Sequence, residues 1–258
     1  MQTLITVLVT FFAGMGAGLG TGFAGMSAAA VIAPMLVTFL GVDPYMAVGI
    51  ALSSDVLASA ASAFTYYKNK NIDLKNGLIM MVSVLVFTVA GSYVASLVPP
   101  TTMGSFSVVM TFLLGIRFIV RPVMTTKASM ESIPQKKRAL RSLFFGILIG
   151  FVCGFVGAGG GLMMLMILTS VLGYELKTAV GTSVFIMTFT ALTGAASHFA
   201  IDGMPDPLVW ILCVVFTLLW AQLAALFANK AQPKTLNRAT GVVLVALGVV
   251  ILGFKLFG

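Results

Sequence analysis

The chain has 258 residues, 59% of them hydrophobic and 9% charged, with a mean hydropathy of +1.10. Soluble globular domains carry about 25% charged residues, so a soluble enzyme or carrier is excluded; a membrane β-barrel is excluded too, because its segments of about 10 residues alternate in polarity and these apolar runs are continuous. The net charge of +8 is no nucleic-acid signature, since the basic residues border apolar spans as cytoplasmic loops of membrane proteins do, and an all-α polytopic membrane protein remains.

Apolar runs cover residues 2–40, 45–67, 76–97, 103–121, 141–172, 177–200, 208–228 and 238–257. The opening MQTLITVLVTFF has no basic n-region and reads as part of the first span rather than a cleaved leader. Six runs have the roughly 20 residues of one bilayer crossing. The first and fifth are too long for one crossing and are interrupted by glycines, in GFAGMSAAA from Gly22 and GFVGAGGGL from Gly154. Asp43-Pro44 and Asp206-Pro207 place a capping residue before a proline at the first helical position. Residues 122–140 form a basic linker between residues 1–121 and 141–258. Cys153 and Cys213 lie in apolar runs with no metal-type spacing.

A shift of 132 residues lays Gly22 on Gly154, Gly41 on Gly173 and Ala47-Val48-Gly49 on Ala179-Val180-Gly181, and it makes 10 of the 46 positions from Gly22 to Tyr67 identical. The pattern of runs repeats as well, an overlong broken run followed by three single spans. The chain therefore reads as two repeats with 8–10 membrane segments. If each overlong run folds back as a hairpin, the repeats are inverted and 14 of the 15 Lys and Arg fall on one side; if each crosses once, the split is 11 to 4. The positive-inside rule selects the inverted arrangement. The central linker is then cytoplasmic, while both termini and the loops after Gly41, Val98 and Ala200 lie outside.

A break inside a bilayer needs a protein-lined or wet cavity, and a half-helix starting there aims free N–H groups and the positive end of its dipole inward, which suits an anion. The candidate substrate-binding residues are Gly22, Gly25, Met26 and Ser27 at the first break, and Gly157, Ala158, Gly159, Gly160 and Gly161 at the second. The hydroxyls of Ser53, Ser54, Thr182 and Ser183 stand at corresponding places in the two halves. For the glycines the competing reading is close helix packing of the GxxxG kind; for the hydroxyls it is bonding back to helical carbonyls. Asp55, with Met187 as its counterpart, is the one acid well inside an apolar run, and an ionised carboxylate there costs about 2.5 to 3.5 kcal/mol on insertion scales. It is the candidate for ion or proton coupling, with His198 second; the competing readings are a protonated carboxyl hydrogen-bonded to Ser53, Ser54 or Ser59 and, for His198, an interfacial polar group at a helix end. Gln222 reads as helix glue. No catalytic set, metal cluster or cofactor motif is present in the sequence.

GFVGAGGG, its degenerate copy GFAGMSAA, the AVG after each and the HFAIDG ending of the sixth run resemble the sulfite exporter TauE/SafE family over almost the whole chain. The resemblance implies an inner-membrane carrier of small sulfur-containing anions such as sulfite or organosulfonates, and it singles out Gly154, Gly157, Gly159, Gly160, Gly161, Gly22 and Gly25 as the family's repeated hallmark. The expected activity is secondary transport of a small anion, with the lipid bilayer and a coupling proton as further partners. An anion channel on the same scaffold is the alternative, ahead of a membrane enzyme or assembly factor.

Overall fold

The computed structural model describes residues 2–95, 112–113, 115–156 and 160–257. The first half contains α1 (Gln2–Ala24), α2 (Ala29–Leu40), α3 (Pro44–Lys68) and α4 (Leu74–Ala95). A short α5 (Lys127–Glu131) follows, then α6 (Gln135–Val156), α7 (Gly160–Ser170), α8 (Leu176–Asp202), α9 (Pro207–Lys230) and α10 (Pro233–Phe257). Among the described residues six helices are long and apolar enough to cross a membrane: α1, α3, α4, α8, α9 and α10. Of the run expected at 103–121, residues 115–120 are helical, and 103–111 and 114 lie outside the described residues.

Local chemistry sets the boundaries. Asp43 Oδ1 accepts the N–H groups of Tyr45 and Met46 at 2.9 and 3.1 Å, and Asp206 Oδ1 accepts that of Val209 at 2.9 Å, so each aspartate caps the helix its proline opens. Gly41 (φ +64°) and Gly173 (φ +71°) end α2 and the turn after α7 in the left-handed conformation. The next residue folds back in the same way at both, Val42 N–H to Leu36 O and Tyr174 N–H to Leu168 O. The linker differs from a plain loop. Thr126 caps α5 by accepting the Ser129 N–H, and α6 begins at Gln135 rather than near residue 141, because its first turn is held by polar contacts that an apolar run does not register.

Shifted by 132 residues, α1 to α4 fall on α6 to α9, and every start agrees within one residue. α3 and its counterpart α8 pack antiparallel: Gly49 lies against His198 and Phe199, Ser59 Oγ is 3.2 Å from Thr188 Oγ1, and Gly181 lies against Tyr66. α3 and α9 run parallel, joined by Ser53 to Trp210 and Thr65 to Gln222. The tightest packing unites helices from different halves. A Cβ on Gly14 would stand 2.6 Å from Phe216 Cβ, and one on Gly18 2.5 Å from Thr217 O, so α1 lies on the backbone of α9. The counterpart glycines do the same on α4: a Cβ on Gly146 would be 2.8 Å from Ser83 Cβ, and one on Gly150 2.5 Å from Val84 O. Two arms result, α1 with α9 and α4 with α6, and each takes one helix from either half.

The arm contact predicts that Gly18→Ala destabilises the protein by about 1–3 kcal/mol, the cost of overpacking, despite alanine's higher helix propensity. Gly253→Ala, which meets nothing within 4 Å, should leave stability unchanged or raise it. Denaturant unfolding in detergent compares the two, and equal midpoints would refute the close approach.

Candidate substrate and coupling site

The first overlong run breaks at Gly25, whose φ of +60° sits between α1 and α2. The end of α1 lies inside apolar surroundings, so its last carbonyls need partners from the protein. Four of them have one: Gly20 O accepts the Met26 N–H at 3.1 Å, Thr21 O the Gly25 N–H at 2.8 Å, Gly22 O the Tyr66 hydroxyl at 2.9 Å, and Phe23 O the Thr240 hydroxyl at 3.3 Å. Tyr66 and Thr240 are fully buried.

The donors at the start of α2 are also taken, and by the protein's own anion. Ala28 N–H donates to Asp55 Oδ2 at 3.1 Å, and Ala29 N–H reaches Ser27 Oγ at 3.4 Å. Asp55 is fully buried near the middle of α3, and its Oδ1 lies 3.3 Å from Thr21 Oγ1, which is 2.9 Å from Met26 O. Ser59 Oγ donates to the Asp55 backbone carbonyl and contacts Thr188 of α8. The carboxyl therefore occupies the place that sequence reasoning reserved for a bound anion at the first break. The dipole and the free N–H favour a negative group wherever it comes from, and Asp55 reaches it from within the chain.

The second break faces the first. A Cβ on Gly161 would stand 2.0 Å from Gly25 O and 2.8 Å from Met187 Sδ, and one on Gly25 would stand 1.9 Å from Ser183 Oγ. Met187 occupies the counterpart position of Asp55, so no carboxyl approaches α7 from α8 there. Ser183 Oγ is buried and has no hydrogen-bond partner among the described residues. Gly160 and Gly161 open α7, while Gly157, Ala158 and Gly159 lie outside the described residues.

The remaining expected residues are dispersed. Gly22 faces α9, where a Cβ would stand 2.5 Å from Ala224 Cβ, so it belongs to the arm contact. Ser54 donates to Ile50 O, and Ser53 does so while accepting the Trp210 indole N–H at 2.8 Å. Thr182 Oγ1 accepts the Asp73 N–H at 3.1 Å. His198 stacks on Tyr45 with ring centroids 4.0 Å apart, its Nδ1 3.1 Å from Tyr45 O, away from Asp55. Gln222 pairs with Thr65 between α9 and α3. Among the described residues no three His, Cys, Asp or Glu side chains gather as metal ligands do.

Sequence reasoning missed Thr21 and Ala28 beside the Asp55 carboxyl; Ser59, expected as a partner of that carboxyl, bonds the Asp55 backbone carbonyl instead. It also missed a polar cluster at the basic end of the molecule. Asp73 Oδ2 accepts from Tyr174 Oη at 2.8 Å and Asn76 Nδ2 at 2.6 Å, and it lies 3.4 Å from Arg138 Nη1. Gln135 bridges Asn76 and Arg138. Burial first, and then the Asp73 charge, push the Tyr174 phenol above its ordinary pKa, so it remains a donor. One signal for this cluster was available, an aspartate among the lysines of YYKNKNIDLKN.

The model of the family described as "Sulfite exporter TauE/SafE" matches residues 10–251. "Probable membrane transporter protein YunE" of Bacillus subtilis (strain 168) is 26% identical, with 96% of each chain covered. "Probable membrane transporter protein YdhB" of the same organism is 22% identical over 96% of this chain and 100% of its own, and "Probable membrane transporter protein MJ0441" of Methanocaldococcus jannaschii is 24% identical over 96% and 94%. No solved structure matches the chain.

The break predicts a measurable coupling. Gly25→Ala should destabilise strongly, because the new Cβ overlaps Ser183 Oγ and a left-handed non-glycine residue itself costs about 1–2 kcal/mol. Adding Ser183→Gly should recover part of that loss and leave the backbone share. Strictly additive effects in a double-mutant cycle by thermal unfolding would mean that the two residues do not touch.

Proposed function

The chain belongs to the sulfite exporter TauE/SafE family, a family of multi-pass membrane proteins whose relatives are named as transporters and not as enzymes, and on that premise we propose that it is a secondary transporter of a small oxyanion, sulfite or an organosulfonate, coupled to a proton on Asp55. Its place is the cell's inner membrane, with the linker cytoplasmic, both termini outside and the halves as inverted repeats. The antiparallel packing of α3 on α8 and the 14 to 1 division of Lys and Arg support that orientation.

The observation that carries the reading is the hydrogen count around Asp55. Thr21 has one hydroxyl hydrogen and two acceptors within reach, Met26 O at 2.9 Å and Asp55 Oδ1 at 3.3 Å. A proton on Oδ1 satisfies both contacts: Asp55 donates to Thr21 Oγ1, and Thr21 donates to Met26 O. When that proton leaves, Thr21 has to release Met26 O in order to serve the carboxylate, so proton transfer and the shape of the break change together. The groups facing Asp55 are Thr21 of α1, Ser27 and Ala28 of the break, and Ser59 and Thr188 beside its own carbonyl, none of them charged.

The substrate oxyanion takes the second break, where Met187 leaves the α7 start without an internal carboxylate. The unpartnered Ser183 hydroxyl between the breaks is its side-chain donor, with the backbone of Gly160 and Gly161. Alternating access exposes this site to either side in turn.

In proteoliposomes, uptake of sulfite or a small organosulfonate should saturate and respond to an imposed pH gradient. Asp55→Asn should retain binding, read as thermal stabilisation by the anion, and lose the gradient response. Ser183→Ala should raise the half-saturating concentration with little change in maximal rate. Unsaturable flux indifferent to pH would instead identify a channel, and an unaltered gradient response in Asp55→Asn would remove the coupling role.

A further inference from the structure

The two arms are built alike, yet they do not sit alike on the central pair α3 and α8. The α1/α9 arm packs along α3 for most of its length, through Trp210 to Ser53, Ser62 to Ala221 O and Gln222 to Thr65. The counterpart contact, α4 on α8, is made at the basic end: Gly77 lies against Thr182 and Phe185, and the Asp73 N–H reaches Thr182. Farther along, the surfaces part. On α4, Val82, Val86 and Val89 are 57%, 60% and 72% exposed, whereas their counterparts on α9, Val214 and Leu218, are half-buried and Ala221 is fully buried. On α8, Ser197 is exposed where its counterpart Thr65 is buried.

The end at which α4 does meet α8 carries the Asp73 cluster, and among the described residues no ion pair stands at the opposite end. Asp73, Asn76 and Tyr174 have Pro205, Leu208 and Val42 as counterparts, none of which can form an ion pair or a side-chain hydrogen bond. The cluster joins the α3–α4 turn to α6 and to the α7–α8 turn, so it fastens the α4/α6 arm to α8 at one end only.

We propose that the arms exchange positions: in a second state the α4/α6 arm lies along α8 as α1/α9 now lies along α3, the α1/α9 arm swings off α3, and release of the Asp73–Arg138–Tyr174 clasp permits the exchange. This rests on the transport reading for its purpose but not for its geometry. Two similarly built arms have two equivalent packings on an antiparallel pair, and the clasp, present at one end alone, selects the one observed. In the other state the exposed faces of α4 and α8 are covered by one another, and the basic end opens.

Counterpart positions supply the test. Thr65 and Gln222 touch here at 3.0 to 3.1 Å; their counterparts Ser197 and Ala90 are both exposed and should touch in the second state. In a chain with Cys153 and Cys213 replaced by alanine, Thr65→Cys/Gln222→Cys should cross-link rapidly and Ala90→Cys/Ser197→Cys slowly. Arg138→Gln, and separately Asp73→Asn, which keeps a capping side chain, should speed the second pair several-fold and slow the first. Should both clasp variants fail to fold, spin labels at Ala90 and Ser197 in the clasped chain should show a minor short-distance population. A single long distance there, or cross-linking rates unmoved by either folded clasp variant, overturns the proposal. No step requires substrate, so exchange without anion flux would reject the anion reading alone, and saturable flux with static arms would reject the exchange alone.

Discussion

The structure depends on one constraint: within hydrocarbon every backbone N–H and C=O must find a partner in the protein. A helix that stops inside an apolar run exposes its last carbonyls and leaves the next helix with free N–H groups. Here the two needs are met together. Gly25 and Met26 turn back onto α1, Tyr66 and Thr240 cover the next two carbonyls, and Asp55 takes the N–H of Ala28. Asp55 thus has a structural task and a chemical opportunity at once, because the group that completes the break is also one that can exchange a proton.

Much of the fold was legible because it rests on patterns that read locally. Run lengths, the capping aspartates before proline and the 132-residue repeat placed α1 to α4 and α6 to α9, and the glycine with φ +60° fell within the first copy as expected. The candidate site was less legible, because its contacts join distant residues. Nothing near Asp55 in the sequence points to Thr21 or Ala28, which lie 34 and 27 positions away. Gly22 and Gly25 are three residues apart and look interchangeable. One faces a neighbouring helix and the other turns the chain, a difference fixed by the direction each presents and not by residue type. The Asp73 cluster escaped for the same reason, since it joins a turn, a helix start and a second turn whose outermost members, Asp73 and Tyr174, are 101 residues apart.

The packing also revises what a half of this chain is. The sequence divides at the linker, but the close-packed units do not: each arm pairs a helix from before the linker with one from after it. On the proposed exchange, alternating access is a motion of mixed units about α3 and α8, whose antiparallel contact is the part that both states would share. Small residues permit that arrangement. Where glycine brings backbones together the two helices of an arm pack as one unit, and the larger side chains of α4 leave a surface exposed beside α8.

The α1/α9 contact has a further consequence, for how the protein is made. The glycine face of α1, at Gly14, Gly18 and Gly22, is matched to the backbone from Phe216 to Ala225, which leaves the ribosome some two hundred residues later. Until then α1 sits in the bilayer with the smallest side chains on its open face and no partner to fill it, while α2 and α3 are threaded beside it. Its early neighbours are lipid and the insertion machinery, and its place in the finished molecule is settled only when nearly the whole chain has been translated.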